Sequence, residues 1–313
     1  MSKKVFISVV SPVYMAEGII HELVKRIKEN VTKITPNYEI ILVEDNSPDE
    51  SWQEIEIACQ QNKSVKGLSL SRNFGQHAAI SAGLETASGE YVVVMDCDLQ
   101  HNPSYIFSMY QEIINGYDIV LTKTKKRRHS IFKNSCAFIY YKFLDLISDY
   151  DMDPNIGSLS MLKKKVVNSY IKMQDHHKAY LWALKWLGFE TKIISIDHDK
   201  RFSGQSSYSF AKLVRHALNV TVSNSNKLLH ITTIVGFVTS FIAASAICYI
   251  FVLFFRTGSV AGWPSLMVTI TFFSGLNITA VGIIGIYISK IFEQTKNRPH
   301  FVISKSRNIS SSA

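Results

Sequence analysis

Apolar residues recur along the first third of the chain with two alternating periods. Val5–Val10 is a continuous apolar run of strand length, the pattern of a strand buried on both faces. Ile20, Leu23, Val24 and Ile27 then return every three or four positions, which predicts one stripe of a helix over Glu17–Glu29. The change of period repeats. It predicts a strand at Glu39–Val43, a helix at Ser51–Gln61, a strand at Val65–Leu70 and a helix at His77–Glu85. A strand at Tyr91–Met95, a helix at Pro103–Asn115 and a strand at Asp118–Leu121 follow. Pro103 suits a first helical turn, where an amide N–H has no intrahelical acceptor. Strands alternating with helices imply crossover connections and a parallel sheet. Such sheets bind ligands beyond the carboxyl ends of their strands, and Pro12, Asp45, Arg72 and Asp96 fall at those ends.

The far end changes character. Ile231–Phe255 carries no charge, and Thr257–Ser289 is a second uncharged stretch. At about 1.5 Å per residue each is long enough for a hydrocarbon core of about 30 Å. Two transmembrane helices are expected, joined by Arg256–Pro264, in preference to buried core helices, which rarely run so long without a polar face. Lys290, Lys296, Arg298, Lys305 and Arg307 follow the second stretch, and Lys212, Arg215 and Lys227 precede the first, whereas the link offers only Arg256. Both ends are therefore expected on the cytoplasmic side. Met1–Val13 is basic and then apolar, but its apolar run is short, precedes Pro12 and has no small-x-small cleavage pattern. A strand is expected there rather than a signal peptide.

Between these regions lies a basic block, Lys123 to Lys133, ahead of an apolar helix predicted over Ile131–Ile147. A second amphipathic helix is predicted over Phe210–Leu218. Both suit a membrane interface, with basic residues at the headgroups; ordinary packing against the sheet is the alternative. Four regions result: a core over 1–122, an acceptor-side region over 123–230, a membrane hairpin over 231–289 and a basic cytoplasmic tail over 290–313.

Composition narrows the classes. The 313 residues are 47% hydrophobic and 19% charged, which excludes a disordered chain. The 34 Lys and Arg against 25 Asp and Glu give +9, compatible with nucleic acid, anionic lipid or a phosphorylated substrate. A nucleic-acid partner would explain the charge but not the spans, so none is expected. Cys59, Cys97, Cys136 and Cys248 form no CxxC, so neither a zinc site nor a disulfide framework is indicated.

Candidate chemistry clusters at the strand exits. In Asp96-Cys97-Asp98-Leu99-Gln100 two carboxylates and an amide follow an apolar strand. They suit a hard cation, Mg²⁺ or Mn²⁺, shared with substrate phosphates, or else form a solvated turn. Asp45 offers acceptors to a base ring or a cap to the next helix, a role Ser47 or Asp49 also suits. Arg72 offers a phosphate fork or a structural ion pair. The loop Arg201-Phe202-Ser203-Gly204-Gln205-Ser206-Ser207-Tyr208 suits a diphosphate wrapped by backbone N–H groups, or a flexible linker. His176-His177 lacks partners at metal spacing.

The combination resembles glycosyltransferase family 2, in its polyprenyl-phosphate branch, which holds bactoprenol glucosyltransferases and dolichol-phosphate mannose synthases. The resemblance rests on Ser11-Pro12-Val13-Tyr14, Ile41–Ser47, Leu70-Ser71-Arg72-Asn73-Phe74-Gly75, Met95–Gln100, the Arg201–Tyr208 loop and the two spans, and covers nearly the whole chain. It implies an α/β fold, with a GT-A (Rossmann-like) catalytic domain plus two C-terminal transmembrane helices. It implies that Pro12, Tyr14, Glu17, Asp45, Arg72 and Asp96 bind the nucleotide. Asp96, Asp98 and Gln100 would hold the metal, with Asp96, Asp98 and Arg201 as the catalytic set. Arg127, Arg128, Arg201 and Ser206 would take the acceptor phosphate.

The implied reaction is inverting transfer from a nucleotide-sugar, UDP-linked, to undecaprenyl phosphate at the cytoplasmic face of a bacterial inner membrane, with membrane lipids as partners. A homo-oligomer is left open. A family 2 transferase acting on a saccharide is the rival reading; processive polysaccharide synthases carry Gln-x-x-Arg-Trp, which this chain lacks, since neither Trp182 nor Trp186 follows an Arg. A non-catalytic relative is a further one, because this branch usually carries an acid in an Asp-Phe-Arg-Leu-like segment where this chain has Gly157-Ser158-Leu159-Ser160. Asp151 and Asp153 are substitutes for that acid. The acceptor itself lessens the need for one, since a phosphate monoester has a second pKa of about 6.

Overall fold

A computed structural model describes residues 5–124, 153, 155–175, 178–197, 227–257 and 262–309. The chain divides into two units, one of residues 1–128, 152–207 and 298–313, the other of residues 129–151 and 208–297.

The first unit is a sheet covered on both faces. Its elements in chain order are β1 (Ile7–Val13), α1 (Ile20–Val31), β2 (Tyr38–Glu44), α2 (Ser51–Gln61), β3 (Val65–Leu70), α3 (Gln76–Thr86), β4 (Tyr91–Val94) and α4 (Tyr105–Ile114). Then come β5 (Ile119–Thr124), β6 (Ile156–Lys163), α5 (Lys164–Lys172), α6 (Tyr180–Leu187), β7 (Thr191–Ile196) and, from the far end of the chain, β8 (Ile303–Arg307). The strand order is β7-β5-β6-β4-β1-β2-β3-β8. β1 to β4 are mutually parallel where they pair, and β5 is parallel to β7. Successive residues of the central strands enter opposite cores: Ile7, Val9, Ile40 and Leu42 pack with α1, α2 and α4, whereas Val10, Ile41, Val43 and Val94 pack with α3, α5 and α6. Burial on both faces is why these strands read as unbroken apolar runs.

The sheet differs from the expected parallel one in two strands. β6 is antiparallel to both β4 and β5, and β8 is antiparallel to β3. The sheet also runs past the core expected over 1–122: β5 crosses that boundary, and β6 and β7 lie beyond it. The basic tail expected over 290–313 contributes β8, which covers the β3 edge. The Ser71 N–H donates to the Val302 carbonyl at 2.8 Å. Asn308 Nδ2 donates to the carbonyls of Cys59 at 2.7 Å and Val65 at 2.8 Å. Arg307 pairs with Glu56 at 2.7 Å.

The second unit contains α7 (Lys227–Thr257) and α8 (Trp263–Thr295). Each holds a segment apolar and long enough to cross a membrane, Leu229–Ala246 and Phe272–Thr295. Neither segment has any of its residues buried, unlike the core helices of a soluble protein. Phe237, Phe241 and Ile278 are each about three-quarters exposed. The hydroxyls of Thr239, Ser245 and Thr279 donate to the carbonyls of Val235, Phe241 and Gly275 within their own helices, each at 2.9 Å. Polar groups satisfied in this way are tolerable in lipid.

Candidate active site

The parallel strands β1, β2, β3 and β4 deliver four loops to one end of the sheet. Chain order reverses between β1 and β4, and a crevice at such a switch point is where open α/β sheets bind ligands.

The loop after β1 is held from one side. Four consecutive amides donate to the β2–α2 segment: Met15 to Ser47 Oγ at 2.8 Å, Ala16 to Ser51 Oγ at 3.1 Å, Glu17 to Asp49 Oδ2 at 3.1 Å and Gly18 to Glu54 Oε1 at 2.9 Å. Asp49 Oδ1 also accepts from both hydroxyls, Ser47 and Ser51, at 2.6 Å and from the Ser51 N–H at 3.2 Å. Burial opposes charge on Asp49, but these hydrogen bonds outweigh it and hold its carboxyl below the usual range. The braced backbone leaves Tyr14 and Met15 exposed at the sheet end while Pro12 stays buried in β1.

Asp45, at the end of β2, accepts two backbone N–H groups from the loop after β3. Its Oδ1 accepts the Phe74 N–H at 2.7 Å and its Oδ2 the Gly75 N–H at 2.8 Å. Burial, reinforced by the charge of Glu44, pushes its carboxyl above the usual range against these two bonds. Asp45 thereby ties the loop after β3 to the end of β2. Gly75, at φ 95°, supplies a backbone turn that a side chain would strain. Arg72 lies exposed in this loop, its guanidinium 4.5 Å from the Phe74 ring centroid. No carboxylate pairs with it among the described residues, which leaves its fork available to an anion.

Asp96 and Asp98 follow β4. Gln76 Nε2 donates to Asp96 Oδ1, and Ser158 Oγ to Asp96 Oδ2, both at 2.6 Å. Burial pushes the Asp96 carboxyl up, the charge of Asp98 adds to this, and the Ser158 bond opposes it. Asp98 Oδ1 accepts the Gln100 N–H at 3.1 Å, and between them buried Leu99 is held at φ 56°. Left-handed backbone at a leucine is strain of the kind that gathers at functional sites. Burial, with the charges of Asp96 and Asp98, pushes the Cys97 thiol up to about 12, so it is protonated and unreactive near neutral pH.

Two mutually repelling carboxylates, with no group of three His, Cys, Asp or Glu among the described residues, form an incomplete donor set. That set fits Mg²⁺ or Mn²⁺, which take one or two carboxylates and complete their shells with phosphate and water. It does not fit a closed zinc site.

Ser158, at the position where the resemblance implied an acid, stands against Asp96 as a donor. Asp153, read as one substitute for that acid, is already engaged by neighbouring groups. It pairs with Lys123 at 2.5 Å and accepts from Asn155, and these contacts hold its carboxyl below the usual range. Gln76 escaped the sequence reading, its only signal being its place just after Gly75 at the sheet end. Arg127, Arg128, Asp151, Arg201, Ser206, His176-His177 and both predicted interfacial helices lie outside the described residues.

Residues 8–171 match the family model described as Glycosyl transferase family 2, an interval that holds every site residue placed above. A glycosyltransferase of Bacillus subtilis, YkcC, is 30% identical over 99% of this chain and 96% of its own length. The SfII prophage-derived bactoprenol glucosyl transferase of Shigella flexneri is 30% identical over 96% of this chain and 98% of its own. An undecaprenyl-phosphate 4-deoxy-4-formamido-L-arabinose transferase of Photorhabdus laumondii is 28% identical over 96% and 93%. The first unit has the GT-A-type α/β fold, with a mixed sheet, and two apolar helices accompany it. The family match runs through that sheet from β1 to β6, and the likeness to relatives extends over both units, so the chain belongs to glycosyl transferase family 2.

Proposed function

We propose that the protein transfers a sugar from a UDP-linked donor to undecaprenyl phosphate at the cytoplasmic face of a bacterial inner membrane. The carrying observation is one chain that combines a paired-carboxylate site at the sheet switch point with two helices whose apolar side chains are exposed. The Shigella and Photorhabdus relatives, named as a bactoprenol glucosyl transferase and an undecaprenyl-phosphate transferase, support the acceptor class. Both helices cross the membrane, with the chain ends on the cytoplasmic side.

Tyr14, on its braced loop, meets the nucleotide together with Pro12, Glu17 and Asp45, and Asp45 also keeps the Arg72 loop in reach of the donor phosphates. Asp96 and Asp98, with Gln100 beside them, would hold Mg²⁺ or Mn²⁺, which would supply charge neutralisation of the leaving diphosphate. Arg127, Arg128, Arg201 and Ser206 receive the acceptor phosphate. Its oxygen attacks the anomeric carbon from the face opposite the diphosphate. The new C–O bond forms as the bond to the nucleotide breaks, and the configuration inverts.

No acid at position 158 is available to take a proton, and none is needed once the acceptor is dianionic. Activity against acceptor is therefore expected to rise about tenfold per pH unit below a midpoint near 6 and to level above it. The measurement is kcat/KM for undecaprenyl phosphate between pH 5 and 8 in wild type and Asp153→Asn. A shift of the midpoint in Asp153→Asn would restore an enzyme base.

The reaction is tested on detergent-purified protein with undecaprenyl phosphate, radiolabelled UDP- and GDP-sugars, and Mn²⁺, Mg²⁺ or EDTA. Label should enter the lipid from one UDP donor and be lost with EDTA. Label that enters only an added saccharide overturns the acceptor; entry from GDP-sugars alone overturns the donor.

A further inference from the structure

Asp96 is fixed from two elements that converge from opposite sides of the chain order. Gln76 opens α3, and its neighbour Gly75 is tied by its N–H to Asp45. The bond that orders the Arg72 loop thus also sets the start of α3, and with it the carboxamide that reaches Asp96 Oδ1. Ser158 arrives from β6. The antiparallel register of β4 with β6 ends at Val94 opposite Ser160. Two residues further along β4 and two back along β6, Asp96 and Ser158 face each other, and their 2.6 Å hydrogen bond continues the pairing through side chains.

The Ser158 segment is itself held. Ser160 Oγ donates to the Ser158 carbonyl at 3.0 Å, which leaves Ser160 to accept from the buried Tyr180 hydroxyl at 2.7 Å. Tyr180 packs edge-on against Tyr170, and the Tyr170 hydroxyl meets Ser81 of α3 at 3.0 Å. The Tyr180 N–H donates to His77 Nδ1 at 3.3 Å, one residue from Gln76. β6, α3 and α6 are therefore laced together directly behind the two donors. Beside Ser158, Gly157 leaves room for His101, whose Nε2 would stand 2.9 Å from a Cβ at that position.

We propose that Ser158 and Gln76 are positioning residues that hold the Asp96 carboxylate in a single orientation, one donor on each oxygen, so that its remaining lone pairs face the donor-diphosphate cation. Ser158 does so at a place where an acid would add a third negative charge to the Asp96–Asp98 pair. The proposal rests on the reading of Asp96 as a ligand of that cation. Outer partners of metal-ligating carboxylates act on a scale of about 10- to 100-fold in metal affinity.

The test is Mn²⁺ binding to the full-length protein in detergent, followed by electron paramagnetic resonance with Mn²⁺ alone and with UDP or GDP, beside thermal unfolding. Ser158→Ala and Gln76→Ala should each weaken Mn²⁺ binding by about tenfold. Gln76 is exposed, so its variant keeps the test valid if Ser158→Ala folds poorly. Ser158→Thr, which keeps the hydroxyl, should restore binding. Wild-type Mn²⁺ affinity in both alanine variants, with Asp96→Ala defective, overturns the positioning role and leaves the cation site standing. Wild-type affinity in Asp96→Ala removes the cation-site reading and the proposal with it. Weakened binding in Ser158→Ala that tracks a fall in melting temperature, is not rescued by Thr and is absent in Gln76→Ala would reduce Ser158 to a structural residue and overturn the proposal.

Discussion

Replacing Asp98 with alanine is expected to lower turnover by about a thousandfold, roughly 4 kcal/mol of transition-state stabilisation, without destabilising the fold. The two halves of that expectation have one cause. Asp98 lies in a loop beyond β4, partly buried and outside both apolar cores. Its charge pushes the neighbouring Asp96 carboxyl up, so its removal relieves a repulsion. Melting temperature should stay level or rise by about 2 °C, since about 1 kcal/mol shifts a domain of this size by 2–4 °C. A residue kept for packing would show the opposite sign. Asp98→Asn, which retains an acceptor for the Gln100 N–H, separates loop geometry from charge and should lose nearly as much turnover as the alanine variant. Initial rates at saturating donor, beside thermal unfolding, decide it. Near-normal turnover in either variant would sink the assignment of Asp98 to the donor cation.

The strand-exit residues were legible because the feature that placed them is local. A continuous apolar run that stops at a charged residue marks a strand end, and four parallel strands put Pro12, Asp45, Arg72 and Asp96 at one end of the sheet. The helix at Ser51–Gln61 and the strand at Val65–Leu70 have the limits the pattern predicts. α1 starts at Ile20 rather than Glu17 because Gly18 is held at φ 80°, outside helical backbone, in a loop whose amides are taken by side chains more than thirty positions away. No local period records that. β6 was missed because Gly157, Ser158 and Ser160 interrupt its apolar pattern. β8 was missed because all five of its residues are exposed at a sheet edge and two are basic, so Lys305 and Arg307 read as topology signals. Asp45 shows the limit for the site itself: its position could be read, but its partners, the amides of Phe74 and Gly75, belong to a loop 29 and 30 residues on.

Ending the chain after Arg298 should lower the melting temperature of the first unit by about 10 °C and raise the KM for donor several-fold, with a smaller change in kcat. The stability term comes mainly from packing. Phe301 and Ile309 lie against the core shared by β3, α3 and α5, and their loss costs roughly 1–2 kcal/mol each for side chains that are only partly buried. The Arg307–Glu56 pair is more than half exposed on the arginine side and adds at most about 1 kcal/mol. The two bonds of Asn308 and the ladder to β3 bring the sum to at least about 3 kcal/mol, or about 10 °C for a domain of this size. The donor term follows from one bond. Val302 accepts the N–H of Ser71, immediately before Arg72, so its loss frees one end of the loop that Asp45 holds at the other. Binding should suffer more than chemistry, because Asp96, Gln76 and Ser158 stay in place. β3 would also become a bare edge, and such strands pair between molecules, so light scattering should rise on warming. Unchanged melting and donor KM would mean that the loop draws its order from Asp45 alone and that the tail merely shields the edge.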